Sequence, residues 1–437
     1  MTMMKKGKAI YIFVGLLLAV WVYYVSPAAA QDAQTIERLE RMIKEQQQQL
    51  ESLQQQLNQL KQTAADAQSQ AKEAKSAAEE AKATAQAPVA NTVTSGQEKV
   101  KLAISGQVNR AVNIIDDGKN TDAYYVDNDA SNSRVRFVGT ARATDDLTLG
   151  SRIEVAFAPN ESGSVNQNDE DNGNLNSGDN FLDERWAEVS LASKRFGKLS
   201  LGKGDSASNT SAEVDLSKTD VVAYASIADI AGGMLFRQNS GDSLTTVTVS
   251  DAFKDLDGLS RRNRVRYDTP TFYGLSLAGS LVSNQRWDAS LWWGGQGLGF
   301  KAAGAAAIAN PNQDNTNYQY DGSFSLLHEA TGLNLTLSAG LLDYDGQNSG
   351  TNLWGKLGWL TKLFSVGETA FSVDYDRSIN FPTNRDEGYS VGGTVVQQFE
   401  NYGTELYMQY RVYSLDRDVE PSVQDMNVGT IGARMKF

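Results

Sequence analysis

From Lys99 to Phe437 the chain alternates with a period of two, and the polar member of the alternation is often a full charge in mid-run. In Leu147–Ala158, Leu147, Leu149, Ile153, Val155 and Phe157 point one way while Thr148, Arg152 and Glu154 point the other. Val135, Phe137, Gly139 and Ala141 likewise oppose Arg134, Arg136, Thr140 and Arg142, and Leu406, Met408, Tyr410 and Val412 oppose Glu405, Gln409 and Arg411. Such alternation selects strands, because successive strand side chains leave on opposite faces. A soluble sandwich alternates too. Large charges in mid-strand ask for water on one side, whereas aliphatic residues with aromatics near strand ends suit lipid and its interfaces on the other. Trp287, Trp292, Trp293, Trp354 and Trp359 are candidates for interfacial girdles. Beyond the first thirty residues there is no run of 18 apolar residues, so membrane contact there falls to strands.

Segmentation predicts an all-β transmembrane fold, a 16-stranded antiparallel β-barrel running from a first strand near 100–115 to a last near 426–437. Two further runs, Met234–Gln238 and Thr245–Asp251, form a hairpin inside one long loop or else raise the count to eighteen. Connections after even-numbered strands are mostly short and those after odd-numbered strands mostly long, which places both termini on one side. Pro159, Pro270, Pro311, Pro382 and Pro421 all fall in turns or loops, as strands that must donate every N–H require.

Net charge is −13, and residues 1–98 are neutral, so the excess acid lies wholly in the strand-rich part. That argues against nucleic acid, whose phosphates need a basic face. The chain has no Cys and one His, His328, which leaves little room for thiol chemistry, a His-rich metal site or acid–base catalysis. No cofactor and no metal ligand set is indicated. His328 reads as a strand-end residue.

Residues 1–30 read as a signal peptide. Lys5, Lys6 and Lys8 precede an uncharged run from Ala9 to Val25, and Ala28-Ala29-Ala30 offers a cleavage site before Gln31. Residues 31–87 follow as an α-helical coiled coil. Ile36, Ile43, Leu50, Leu57, Ala64, Ala71, Ala78 and Ala85 occupy one heptad position, and Leu39, Gln46, Leu53, Leu60, Ala67, Ala74 and Ala81 its partner. A lone helix cannot bury that seam, so partner helices are required. Pro88 ends the helix, and residues 88–98 read as a linker to a barrel domain at 99–437.

Four stretches carry a family resemblance. Arg185-Trp186-Ala187-Glu188-Val189, then Phe196-Gly197-Lys198-Leu199-Ser200-Leu201-Gly202-Lys203, resemble the fourth and fifth strands of the general diffusion porins of Gram-negative proteobacteria. Asn263-Arg264-Val265-Arg266-Tyr267-Asp268-Thr269-Pro270-Thr271-Phe272 resembles the strand after their third loop, and Ile431, Ala433, Met435 and Phe437 resemble their C-terminal signature. Met435 departs from the aromatic usual there. Glu188 faces outward in the matching register, where an apolar side chain is usual and a subunit contact would tolerate a charge better.

The resemblance implies an outer-membrane pore for passive diffusion of small hydrophilic solutes and ions, narrowed by an inward-folded third loop at Asp205 to about Ser260. On that loop Glu213, Asp215, Asp220 and Asp229 form an acidic side. Arg134, Arg136, Arg152, Arg185, Arg262, Arg264 and Arg266 form the basic wall opposite, giving a transverse field. The resemblance also implies a homotrimer, contact with lipopolysaccharide, and recognition of Phe437 by the barrel-assembly machinery. The acidic tracts Asp169-Glu170-Asp171 and Asp416–Glu420 are candidate binders of divalent cations beside that lipid. The coiled coil, placed in the periplasm, has peptidoglycan as a candidate partner. A solute-specific sugar porin and an outer-membrane tether to the cell wall are the competing functions. An enzyme is disfavoured.

Overall fold

The alternation becomes sixteen antiparallel strands in the computed structural model, which describes residues 91–94, 99–170, 182–313 and 315–437. The signal segment 1–30, the coiled coil 31–87 and the rest of the linker lie outside the described residues. The wall consists of β1 (Val100–Asp116), β2 (Arg134–Arg142), β3 (Leu147–Phe157), β4 (Leu182–Ser193), β5 (Gly197–Asp205), β6 (Arg261–Asp268), β7 (Leu275–Val282) and β8 (Arg286–Gly297). It continues with β9 (Phe300–Asn310), β10 (Thr316–His328), β11 (Leu333–Tyr344), β12 (Gly350–Phe364), β13 (Gly367–Ile379), β14 (Glu387–Phe399), β15 (Thr404–Asp416) and β16 (Met426–Lys436). β16 pairs antiparallel with β1 from Gln107↔Lys436 to Asp116↔Asn427, so the sheet closes on itself. Leu235–Arg237 and Leu244–Thr248 pair only with each other, as a hairpin within the long connection, and the wall stays at sixteen.

Two short strands complete the edges of β1. Thr121–Asp127 pairs with Arg110–Asp116, and β2 takes over from Val100 to Gln107 on the same edge. On the other edge Asn91–Thr94, read as linker, pairs with Lys101–Ile104 beyond the end of β16. Gly106 and Phe437 exchange backbone hydrogen bonds of 2.8 and 3.0 Å. The Phe437 ring lies so close over Gly106 that a Cβ there would sit 2.6 Å from it. β7 begins at Leu275, after Tyr273 and Gly274 take positive φ in the turn that leads into it.

Burial along the strands is inverted relative to a soluble protein. On β15 Glu405, Gln409 and Arg411 are buried while Leu406, Met408 and Tyr410 are exposed. Leu281, Leu357 and Val373 are 71%, 63% and 59% exposed on the same outer surface. In water this would be a far larger apolar patch than a soluble monomer carries; against hydrocarbon it is the contact surface. Trp293 and Trp359 face outward, as does Trp287, whose cross-strand partner is Leu281. Trp292 and Trp354 do not belong to a girdle. The Trp292 Nε1 donates to Ser290 Oγ at 2.8 Å on the inner face, and Trp354 is buried there, its Nε1 3.3 Å from Asp374 Oδ1. His328 ends β10, with Nδ1 2.7 Å from Thr331 Oγ1.

The connection 206–260 between β5 and β6 runs around the inside of the wall. Ser208 N donates to Asp288 of β8 at 2.9 Å. Val214 N and Leu216 N donate to Ser323 and Ser325 of β10 at 2.9 and 3.0 Å. Further along, Gln409 and Tyr413 of β15 donate to the carbonyls of Val222 and Ile227, and Asn113 of β1 to that of Ile230. Behind these bonds Ile227, Met234, Phe236, Val249 and Phe253 pack with Tyr413 and Val428 of the wall. Each such buried side chain contributes roughly 1.5–3 kcal/mol, so the loop is held by an apolar core of its own.

One charged anchor fixes the middle of this path. Lys356 of β12, fully buried, ion-pairs with Asp215 and donates to Thr219 Oγ1 at 2.9 Å and the Ala223 carbonyl at 2.7 Å. Removing one partner of a buried pair costs about 3–5 kcal/mol, because the other charge is left uncompensated. Lys356→Met is therefore expected to loosen the loop, seen as trypsin cleavage at the exposed Lys218 in an otherwise folded barrel. Adding Asp215→Asn should restore much of the protection. Equal protection of the single variant and the parent would show that this pair does not seat the loop.

Candidate functional site

Charge concentrates inside the barrel on β2, β3 and β4. Arg134 and Arg136 leave β2 two residues apart and so share its inner face; Arg152 and Glu154 do the same on β3. The register places Arg136 directly across from Glu154. On β4 the ladder slips: Trp186 pairs with Glu154 and Glu184 with Val155, leaving Arg185 as an extra bulged residue. A bulge re-aims side chains locally. Both Arg185 and Trp186 thus reach the lumen, and the phase of β4 beyond them is set by Trp186.

Four guanidiniums meet one carboxylate. Glu154, completely buried, lies 2.6 Å from Arg136 Nε, 2.5 Å from Arg152 Nη2, 2.9 Å from Arg185 Nε and 3.6 Å from Arg134 Nη1. The Arg152 guanidinium also stacks 3.6 Å from the centre of the Trp186 ring. With four positive groups on one negative group, this wall is strongly electropositive. Glu154 organises it, although the sequence shows it only as one more charge on the polar face of its strand.

The phase of β4 overturns the expectation that Glu188 faces outward. Glu188 is buried on the inner side, with Arg264 Nη2 at 2.6 Å, and Val189 is the residue that faces out. The case for a subunit contact at Glu188 falls with it. Arg264 also donates to the carbonyls of Asp205 and Gly202, and Arg266 donates to Ser206 O at 2.7 Å and to Asp268. These two arginines clamp the root of the loop. Arg262 is exposed, its Nε donating to Leu259 O at 3.0 Å.

Arg134 and Arg185 do line a cavity of about 590 Å³, and they are joined by Arg261, a residue passed over in favour of its neighbour Arg262. The other side of this cavity is the loop: Glu213 and Asp229, together with Asp255, Asp257, Tyr224 and Lys254. Asp129, from the connection after β1, also lines it. Asp215 and Asp220 do not. Asp215 is neutralised by Lys356, and Asp220 is exposed outside the lining. Asp255 and Asp257 were legible as a pair of carboxylates two residues apart, but nothing in the local pattern marks them off from the other loop acids.

The loop carboxyl groups share one electrostatic condition. Confinement against the protein strips water from Glu213, Asp229, Asp255 and Asp257 and raises each of them, and repulsion from neighbouring carboxylates adds to the effect on Glu213, Asp229 and Asp257. Asp229 is pushed up to about 6, although Tyr224 and Ser226 donate hydrogen bonds to it. Asp257 accepts from Thr210 N at 2.7 Å and Ala212 N at 3.0 Å. Among the described residues no three acidic or His side chains converge with the geometry of a metal site.

The sequence model of the Gram-negative porin family matches residues 76–418. This chain belongs to the Gram-negative porins. Solved structures agree on the fold at low identity. OmpT, an outer membrane protein of Vibrio cholerae, is 12% identical with a TM-score of 0.52, over 80% of this porin and 100% of its own chain. The outer membrane channel DcaP of Acinetobacter baumannii is 12% identical with a TM-score of 0.51, over 79% and 100%. The anion-selective porin from Comamonas acidovorans is 15% identical with a TM-score of 0.50, over 77% and 100%. No curated sequence matches significantly. The porin is therefore an outer-membrane channel protein.

A carboxyl group with a raised pKa is charged above that value and neutral below it, whereas arginine keeps its charge throughout. Acidification from pH 8 to pH 5 thus removes negative charge from the loop side of the cavity and leaves the arginines. Reversal potentials of the porin in a salt gradient are expected to move toward anion preference over that interval. Glu213→Gln with Asp229→Asn should shrink the change. A selectivity flat with pH would mean that these groups do not titrate in the ion path.

Proposed function

We propose that this porin is a water-filled channel for passive diffusion of small hydrophilic solutes and ions, narrowed by the inward-folded connection 206–260. The observation that carries the reading is one cavity bounded by Arg134, Arg185 and Arg261 on one side and by Glu213, Asp229, Asp255 and Asp257 on the other. Opposed fixed charges set up a transverse field that orders water and disfavours apolar solutes, while polar molecules align with it. Planar-bilayer recordings test this directly. The purified porin should form ohmic channels, and Arg134→Gln, Arg185→Gln and Arg261→Gln together should make them markedly more cation-selective. Arg262→Gln, changing a residue outside the cavity, should shift the reversal potential far less. A triple variant with an unchanged reversal potential would place the narrowest point elsewhere.

We further propose that the working form is a homotrimer, exported under residues 1–30, with residues 31–87 as a three-stranded periplasmic coiled coil that touches the cell wall. The heptad seam supports the association of helices, and side-by-side barrels would raise their effective concentration. Recognition of Phe437 by the assembly machinery and lipopolysaccharide contact at the acidic outer tracts belong to the same proposal. Mass spectrometry should find a mature chain starting at Gln31. Native spectra should give a trimer both for that chain and after deletion of residues 31–87. A monomer in both preparations would remove the trimer.

A further inference from the structure

We propose that the connections after β1, β3 and β15 position the acidic side of the pore by latching the hairpin 235–248, with Arg237 and Asp117 as the positioning pair. The inference rests on the channel reading above and concerns what keeps the loop carboxylates opposite the arginines. Neither Arg237 nor Asp117 lines the cavity, so both act through the hairpin.

The hairpin stands between the two stretches of loop that supply the carboxylates. Glu213 and Asp229 precede it, and Asp255 and Asp257 follow it. The two stretches are tied together where they enter and leave it: Val249 N donates to Met234 O, and Ser250 N to Gly232 O, both at 2.9 Å. A displacement of the hairpin therefore carries both acidic stretches with it.

Three other connections hold its far end. Arg237 meets Asp117, after β1, at two points, Nη2 lying 2.5 Å from Oδ2 and Nε 3.1 Å from Oδ1, and both residues are buried. Such a fork-to-carboxylate contact fixes direction as well as distance, and losing either member leaves the other charge buried and unpaired. Asp117 Oδ1 also accepts from Asn120 N at 3.0 Å, which secures the turn that presents it. After β3, Gln167 takes the place of a neighbouring strand: its Oε1 accepts from Leu235 N at 2.9 Å and its Nε2 donates to Leu235 O at 2.8 Å. After β15, Gln238 and Val423 face each other in an antiparallel bridge, with Asn239 N donating to Ser422 O at 3.0 Å and Gln424 N to Arg237 O at 2.8 Å. Two of these connections also touch the acidic stretch itself. Asn128 Nδ2 donates to Val221 O at 3.0 Å, and Ser162 Oγ to Asp229 O at 2.5 Å.

The chain has no Cys, so one disulfide can be placed at will. Residues opposed as Gln238 and Val423 are have Cα atoms about 4.5 Å apart, within disulfide range. The test uses the full-length porin with Asp117→Asn, Arg237→Gln, Gln238→Cys and Val423→Cys, recorded in a planar bilayer under a salt gradient at pH 6, oxidised and then reduced. One charge of each sign is removed, and thiols are neutral at that pH, so the two redox states carry the same charges and differ only in the hold on the hairpin. The oxidised form should keep the parent's reversal potential. Reduction should shift it toward anion preference, because the released carboxylates no longer stay opposite the arginines, and reoxidation should reverse the shift. If this variant does not assemble, Arg237→Lys with the same two cysteines keeps the charge, loses the fork, and gives the same comparison. Reversal potentials equal in the two states would overturn the latch and leave the diffusion channel standing. A parent chain that forms no channel would overturn both.

Discussion

Inside hydrocarbon a backbone N–H or C=O without a partner costs several kcal/mol, and no water is available to satisfy it. Every other property of this molecule follows from meeting that requirement with strands. The ladder must close, and it does so where β16 meets β1. The seam is finished at atomic scale: Gly106 lacks the Cβ that would strike the Phe437 ring, and the two residues pair through their backbones. Thr121–Asp127 and Asn91–Thr94 take up the stretches of β1 that β2 and β16 do not reach. Closure leaves two faces to be solved separately. The outer one meets lipid and carries Leu281, Leu357 and Val373, and the inner one can hold any amount of charge that is paired or wet.

The inner face explains how polar wall side chains, together with an apolar cluster, hold so long a loop in place. Ser323 and Ser325 on β10, Lys356 on β12 and Gln409 and Tyr413 on β15 give loop backbone and side chains fixed partners at successive positions around the wall. Neutral hydrogen bonds of this kind are each worth about 0.5–1.5 kcal/mol net. The apolar cluster around Met234, Phe236 and Phe253 supplies what they do not. The loop is thus a small folded unit resting against polar strands, and its carboxylates are presented from a rigid support.

What could be read beforehand divides along physical lines. Strand count and strand bounds were legible because alternation is imposed residue by residue along a wall with two unlike solvents. The long connection stood out by length alone. The phase of β4 was not legible, since a bulge at Arg185 inserts one residue that no propensity announces and turns every later side chain over, Glu188 among them. The acidic residues failed for a different reason. Asp215 and Asp255 look alike in the chain, and only the position of Lys356, 141 residues beyond Asp215, decides that the first is neutralised while the second faces the cavity. Arg262 and Arg261 are adjacent arginines separated by the direction in which the strand leaves the loop. Tryptophan misled similarly: Trp292 and Trp293 are neighbours on opposite faces of β8, so one hydrogen-bonds in the lumen and the other meets the membrane.

The course of the loop along β8, β10, β12, β13 and β15 to β1 has a geometric consequence. It ties the loop to that sector of the wall, whereas Arg134 and Arg185 of the cavity come from β2 and β4, strands outside it. Support of the loop and presentation of the cavity's arginines thus fall largely to different strands. Side chains on the first set hold the loop, and those on the second set the charge that faces it. The two sets can diverge independently over evolutionary time, so the charge of the cavity can change without the loop's support being rebuilt.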